Sequence, residues 1–73
     1  MVIDAPPPHI QLNGKHYGIA PEQTVAQLIR QLDLGARRYA VEINGAIVPR
    51  GQHHDTILNP ADRVEIVQAI GGG

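Results

Sequence analysis

The sequence contains no cysteine, no phenylalanine and no tryptophan among its 73 residues. Without cysteine, no disulfide or thiolate metal site reinforces the fold, and no side-chain thiol can carry sulfur, form a thioester or act as a nucleophile. The only aromatic residues are Tyr17 and Tyr39, so the stacking platforms that bind single-stranded nucleic acid are lacking. The composition therefore argues against thiol chemistry and against single-strand recognition by this chain.

Neither charge nor hydropathy is one-sided. Six Lys+Arg oppose seven Asp+Glu, for a formal net charge of −1, whereas binding to a phosphate backbone requires a basic face. No long apolar run occurs and no basic segment precedes one, so we expect a soluble cytoplasmic protein without a signal peptide or membrane span. A single domain of this length buries only about 60% of its unfolded surface, so its core is small.

The chain divides into a leader, a domain and a tail. The leader, residues 1–8, contains Pro6-Pro7-Pro8, which favours polyproline II and lacks N–H donors for a sheet. We expect this Pro-rich leader to be flexible, residues 9–70 to form the folded domain and residues 71–73 to form a flexible glycine tail.

Two Asn-Gly pairs predict two β-hairpins. Asn13-Gly14 lies within the alternating segment 9–20, and Asn44-Gly45 lies between apolar segments at 39–44 and 46–48. Asn-Gly is the pair that type I′ hairpin turns prefer, and the flanking alternation is typical of half-buried strands.

One helix is predicted over residues 24–34. Thr24 and Gln27 have the spacing of a capping box, and Gly35 follows where a left-handed C-cap residue belongs. The apolar residues of the segment fall at the i, i+3, i+4, i+7 spacing of one helix face. They are Val25, Leu28, Ile29 and Leu32.

The C-terminal third predicts an irregular segment and a last strand. Within residues 51–59, Ile57 and Leu58 are expected to pack under the sheet. A strand is predicted over 63–70, with Val64 and Ile66 on one face and Glu65 and Val67 on the other. The order of elements is therefore ββαβββ, an α+β fold in which a mixed sheet of about five strands packs on one helix. We expect the last strand to lie centrally, parallel to the first.

The sequence ends in Ile70-Gly71-Gly72-Gly73. Glycine lacks a Cβ, so such a tail can approach another surface closely, and a glycine carboxylate is the least hindered acyl group a protein can present. We interpret it as a tail that enters a narrow channel in another protein and is modified there. A frayed terminus is the alternative.

Several short motifs occur along the chain. They are Leu12-Asn13-Gly14, the helix start Thr24-Val25 with Leu28-Ile29, Val41-Glu42-Ile43-Asn44-Gly45, Ile47-Val48-Pro49-Arg50, Leu58, Asp62-Arg63-Val64-Glu65-Ile66-Val67 and the terminal Gly-Gly. As a set, with the order of elements, they resemble the ThiS family of sulfur carriers in thiamin thiazole synthesis, which has the ubiquitin-like β-grasp fold. The resemblance covers residues 9–73. Asn59-Pro60-Ala61-Asp62 departs from it, because the family usually has an Asp-Gly-Asp-like turn there.

The resemblance implies chemistry at Gly73. An E1-like enzyme would adenylate its carboxylate with ATP, and sulfur from a sulfurtransferase or cysteine desulfurase would convert it to a thiocarboxylate. Thiazole synthase would then take the sulfur. The chain itself would be a carrier and not an enzyme, with no bound cofactor and no nucleic-acid or membrane partner. Gly71, Gly72 and Gly73 form the tail, in which a Cβ at Gly72 or Gly73 should block the partner's channel.

Partner recognition is expected on the outward sheet face beside the tail, since modest exposed apolar patches often mark interfaces. The candidates are Val67, Ala69 and Ile70, with Val48 or Ile47. For Ile47 we favour core packing. Arg50 and Arg63 are interpreted as ordinary exposed arginines.

Three alternatives share the fold. The small subunit of molybdopterin synthase has the same chemistry with a pterin acceptor, and a ubiquitin-like modifier would join its tail to a target lysine. A β-grasp binding module would not need the tail. His53 and His54 are adjacent, and adjacent residues seldom face one metal ion. His9 and His16 lie elsewhere in the chain, so we predict no metal site.

Overall fold

A computed structural model describes residues 7–34 and 38–68. Within these residues the chain forms five strands in one sheet and one α-helix. The strands are β1 (His9–Leu12), β2 (Lys15–Gly18), β3 (Tyr39–Ile43), β4 (Ala46–Val48) and β5 (Arg63–Gln68), the helix is α1 (Val25–Leu32), and a short 3₁₀ helix covers Arg50–Gln52. The predicted α+β class and ββαβββ order are confirmed.

The last strand lies at the centre of the sheet. The strand order is β2-β1-β5-β3-β4. β5 is parallel to β1, with Leu12 opposite Val64, and antiparallel to β3, with Ile43 opposite Val64. The prediction of a central last strand parallel to the first is therefore confirmed.

Both predicted hairpin turns are present. Asn13 and Gly14 have φ of 50° and 82°, and Asn44 and Gly45 have φ of 52° and 88°. A type I′ turn requires positive φ at both central residues, which Asn and Gly adopt most readily. A Cβ built on either glycine would meet no atom within 4 Å, so the requirement for glycine is conformational and not steric.

The helix begins as predicted but ends earlier. The Thr24 side chain accepts a hydrogen bond from the Gln27 N–H at 3.2 Å, and the Thr24 N–H donates to the Gln27 side chain at 2.9 Å. We expected the left-handed C-cap residue to be Gly35, which lies outside the described residues. Asp33 has that conformation instead (φ 51°). The predicted end at residue 34 is therefore wrong by two residues. This eight-residue helix, the only one in the described part of the chain, is too short to cross a membrane.

The core lies between α1 and one face of the sheet. Val25 and Leu28 of α1 are buried, while Ile29 and Leu32 pack half-buried against them. The remaining buried apolar residues come from the strands and loops. They are Ile10, Ile19, Val41, Leu58 and Val64.

Two apolar residues that we expected in the core face solvent. Ile57 is 47% exposed, while its neighbour Leu58 is 2% exposed, because successive residues of an extended segment point to opposite sides. Ile47 is 61% exposed. It lies on the edge strand β4 opposite Glu42, on the sheet face away from α1.

Candidate functional site

The last described residues of β5 lie at the end of the sheet nearest in sequence to the predicted tail. β5 ends at Gln68, which lies opposite Tyr39 of β3. The pairing of β1 with β5 extends only over Gln11 and Leu12. The C-terminal end of β5 is therefore held by β3 and lies beyond the end of β1. The predicted site residues Ala69, Ile70, Gly71, Gly72 and Gly73 lie outside the described residues.

A shallow groove lies beside Gln68 at this end of the sheet. Its volume is about 260 Å³. Val67, which is 54% exposed, lies opposite Ala40 on the face of the sheet away from the helix. The groove residues are Arg38, Tyr39, Ala40, Val67 and Gln68. This apolar surface adjoins the point where the chain continues toward its glycines.

An acidic pair lies on the same sheet face. Glu42 of β3 is directly opposite Glu65 of β5, and both line a small cavity of about 90 Å³ together with Arg63. Like charges directly opposite each other in a sheet destabilise it. Arg63 lines the same cavity, so a cation of this chain lies beside the two carboxylates, and the outer face combines an apolar groove with a cluster of mixed charge.

The predicted interface residues fall on different sides of the sheet. Val67 faces outward as expected, and Ile47 joins it on the outer face, contrary to our expectation of core packing. Val48 does not belong to that face. It lies opposite the buried Val41 and packs against the core, because alternate residues of β4 point to opposite sides. The use of this face in binding stays a prediction.

Sequence reasoning missed the other groove residues. Arg38, Tyr39, Ala40 and Gln68 come together only because Tyr39 pairs with Gln68 across β3 and β5. The register between strands far apart in sequence supplies this information. No local motif at Tyr39 indicates it.

The histidines do not converge on one site. His53 is buried, and its Nε2–H donates to the Val48 carbonyl oxygen at 3.1 Å, whereas His54 is exposed. His9 and His16 stack on each other with ring centroids 4.0 Å apart. Across residues 7–34 and 38–68, no group of three or more His, Cys, Asp or Glu side chains is arranged to hold a metal ion.

The described site is a partly exposed apolar groove at the C-terminal end of β5, and its lining residues include no nucleophile in contact with a base. The family profile of ThiS matches residues 10–73. The chain belongs to the ThiS family. The resemblance noted from the sequence, with its ubiquitin-like β-grasp fold, is thereby confirmed, and the match includes the glycines at the end of the sequence.

Individual relatives agree with the ThiS assignment. The sulfur carrier protein ThiS of Escherichia coli (strain K12) is 38% identical over 64 residues, 88% of this chain and 97% of that protein. An uncharacterized protein ycf40 of Porphyra purpurea is 36% identical over 88% of this chain and 90% of its own length. A thiazole synthase of Paramagnetospirillum magneticum is 37% identical over 85% of this chain but only 19% of that protein.

A solved ThiS structure has the same fold. The crystal structure of the thiamine biosynthesis protein ThiS from Geobacter metallireducens superposes with a TM-score of 0.74 and 28% sequence identity, covering 89% of this chain and 99% of that one. The superposition therefore includes nearly all of the second chain.

Proposed function

We propose that this chain is a sulfur carrier for thiazole formation in thiamin biosynthesis. The observation that carries the proposal is the ThiS family match over residues 10–73, which includes the terminal glycines. A relative named sulfur carrier protein ThiS, alike over 97% of its length, supports the same role. The chain is then a co-substrate of other enzymes.

The proposed chemistry takes place at the Gly73 carboxylate. A free carboxylate is a poor acyl donor, so one carboxylate oxygen first attacks the α-phosphorus of ATP, and pyrophosphate leaves. Sulfide then attacks the acyl carbon of the adenylate, AMP leaves, and a thiocarboxylate remains. If an enzyme persulfide supplies the sulfur, a second thiol cleaves the resulting acyl disulfide and becomes part of an enzyme disulfide. The chain lacks cysteine, so every thiol in these steps belongs to a partner.

Thiazole synthase is the proposed acceptor of the sulfur. Two relatives named thiazole synthase, from Paramagnetospirillum magneticum and Magnetococcus marinus, match this chain over 19% and 20% of their lengths. Each of those proteins therefore includes a segment similar to this whole domain. Such a segment within a thiazole synthase supports a direct functional relationship between the two activities.

The outer face of the sheet is the proposed docking surface for the activating enzyme. Exposed Val67 and the groove beside Gln68 adjoin the residues that lead to Gly73. An enzyme that holds Gly73 in its active site has to contact this end of the sheet, because five residues after Gln68 span at most about 18 Å when fully extended.

The intact mass of the protein tests the proposal. The chain is incubated with ATP, a sulfide source and the adenylating enzyme of its host. We expect a mass gain equal to the replacement of one oxygen by sulfur, and no gain for a variant lacking Gly71, Gly72 and Gly73, since removal of Gly73 alone leaves another Gly-Gly end. Gly72→Ala should be adenylated more slowly, since its Cβ would obstruct entry of the tail into the channel of the enzyme. An unchanged mass with an enzyme that is active on its own carrier would contradict the proposal.

A further inference from the structure

A second groove, which we call the arginine groove, lies on the helix side of the sheet. Its volume is about 360 Å³, and it runs between α1 and the segment that begins with the 3₁₀ helix. Its floor includes Ala26 and Ile29 of α1. Its charged and aromatic lining residues are Arg30, Tyr39, Arg50, His53 and His54.

The arginine groove is positively charged although the chain as a whole is not. Two arginines and two histidines line it, and no carboxylate of the described residues does, in a chain with a formal net charge of −1. The acidic pair Glu42 and Glu65 lies instead on the outer sheet face. The carboxylates of the sheet therefore lie away from the arginine groove, beside Arg63.

Arg50 is held in place by a stack of rings. Its guanidinium carbon lies 4.6 Å from the centre of the Tyr39 ring, a cation–π distance. His53 in turn stacks on Tyr39, with ring centroids 6.3 Å apart and an interplanar angle of 23°. His53 is 7% exposed and is anchored by its hydrogen bond to the Val48 carbonyl oxygen. The guanidinium is thus oriented before any partner arrives, which lowers the entropy lost on binding.

The two walls of the arginine groove are joined by backbone hydrogen bonds. The Ala26 N–H of α1 donates to the His53 carbonyl oxygen at 2.9 Å, and the Val25 N–H donates to the Thr56 carbonyl oxygen at 2.9 Å. These two bonds hold the start of the helix against the segment that follows the 3₁₀ helix. A groove lined by arginines suits a planar carboxylate, which a guanidinium can bind through two parallel hydrogen bonds.

The arginine groove also lies close to the chain end that is to be modified. Tyr39, whose ring supports Arg50, is directly opposite Gln68. An enzyme that binds Gly73 has its active site within about 18 Å of Gln68, and the arginine groove begins at the residue opposite Gln68. We propose that the arginine groove binds an acidic segment of the enzyme that activates Gly73, as a second contact in addition to the outer sheet face. This inference rests on the proposed function.

Steady-state kinetics of adenylation test the contact. The full-length double variant Arg30→Gln/Arg50→Gln is compared with the wild type, using the host's adenylating enzyme and measuring pyrophosphate release. We expect the KM for the carrier to rise roughly three- to tenfold with kcat unchanged, since charges at an interface rim act on encounter and affinity. The dependence of KM on salt concentration should also become weaker.

Lys15→Gln provides the matched control. It removes one positive charge from an exposed residue of β2. β2 and β4 are the two edge strands, at opposite ends of the sheet. We expect its KM to equal that of the wild type. A wild-type KM for the double variant, an equal rise for Lys15→Gln, or a loss confined to kcat would each overturn the inference. Thermal unfolding of each variant shows that the fold is intact.

A binding measurement without the enzyme separates this inference from the proposed function. A hexaglutamate peptide is titrated into the full-length chain, and the side-chain Nε–H resonances of Arg30 and Arg50 are followed by NMR. We expect both to shift, and the shifts to disappear at high salt. Shifts here together with an unchanged mass in the sulfur assay would leave the arginine groove standing while the carrier role fails. Absent shifts, or stronger shifts with hexathymidylate than with the peptide, would overturn the inference even if the carrier role holds.

Discussion

The side chain of Asn13 binds the backbone of Ile66, 53 residues further along the chain. Its Oδ1 accepts a hydrogen bond from the Ile66 N–H at 2.8 Å, and the backbone N–H of Asn13 donates to the Val64 carbonyl oxygen at 2.8 Å. Asn44 does the same from the other side of β5, where its Oδ1 accepts from the Arg63 N–H at 2.9 Å. Each Asn-Gly turn therefore also fixes the central strand whose end leads to the tail.

The two asparagines should respond differently to aspartate. Asn13→Asp keeps the acceptor and the left-handed backbone and loses only the long 3.5 Å contact from Nδ2–H to the Ile66 carbonyl oxygen. Its free energy of unfolding should therefore stay within about 0.5 kcal/mol of the wild type. Asn44→Asp replaces the Nδ2–H that donates to the Asp62 Oδ1 at 3.0 Å with a second carboxylate. We expect a loss of about 1 kcal/mol at neutral pH, because the variant loses one exposed hydrogen bond and gains a contact between like charges.

Urea unfolding at pH 7 and at acid pH measures the difference. The loss in Asn44→Asp should shrink at acid pH, because a proton taken up between the two carboxyl groups removes their repulsion. Equal stabilities of the two variants at pH 7 would contradict the role given to the Asn44–Asp62 hydrogen bond.

Local chemistry was enough to predict much of the fold. The Asn-Gly pairs specified both turns, and the spacing of Thr24 and Gln27 specified the start of the helix, because each depends only on residues nearby. The C-terminal end of the helix was missed because Asp33 adopts a left-handed conformation (φ 51°). Asparagine and aspartate tolerate this conformation, but no sequence motif indicates where they adopt it.

The turn before β5 contains an alanine in a left-handed conformation. Ala61 has φ of 69°, and left-handed backbone costs a residue with a Cβ about 1–2 kcal/mol. Glycine avoids this cost but gains freedom in the unfolded chain, so Ala61→Gly should stabilise the protein by roughly 0.5–1 kcal/mol. The hydrogen bond from the Ala61 N–H to the His9 carbonyl oxygen, 2.8 Å long, is unaffected.

The matched control for this change is Ala46→Gly. Ala46 begins β4, where glycine should destabilise by about 0.5–1 kcal/mol. Thermal or urea unfolding measures both variants, and the opposite signs are the result that matters. A destabilised Ala61→Gly would show that the turn is not strained.

The capping box makes the helix sensitive to one hydroxyl. Thr24→Ala removes the acceptor for the Gln27 N–H and should lower the free energy of unfolding by about 0.5–2 kcal/mol. Thr24→Ser retains the hydroxyl and serves as the control. Urea unfolding distinguishes them, and equal losses in the two variants would mean that the methyl group and not the hydrogen bond stabilises the helix.

The docking surface was harder to predict than the fold. Alternation along β5 assigned Val67 to the outer face, but it could not assign Ile47 and Val48 to opposite faces, since a strand of three residues gives too short a pattern. Tyr39 and Gln68 come together only because β3 pairs with β5. That pairing depends on how the whole core packs and not on a local motif.

The outer face makes a final prediction about partner binding. Val67 is 54% exposed, so Val67→Asp should lower the free energy of unfolding by only about 1 kcal/mol, because Asp is a poor strand residue. A charge in an apolar contact beside the tail should nevertheless weaken binding to the activating enzyme roughly tenfold or more, as when the centre of an interface is disrupted. Ile57→Asp is the control, since Ile57 is 47% exposed but bridges to Thr24 at the start of the helix segment. Calorimetric titration of each variant with the enzyme separates the two. Equal losses would indicate a general effect of added negative charge, whereas a loss confined to Val67→Asp would assign binding to the face from which the glycines continue.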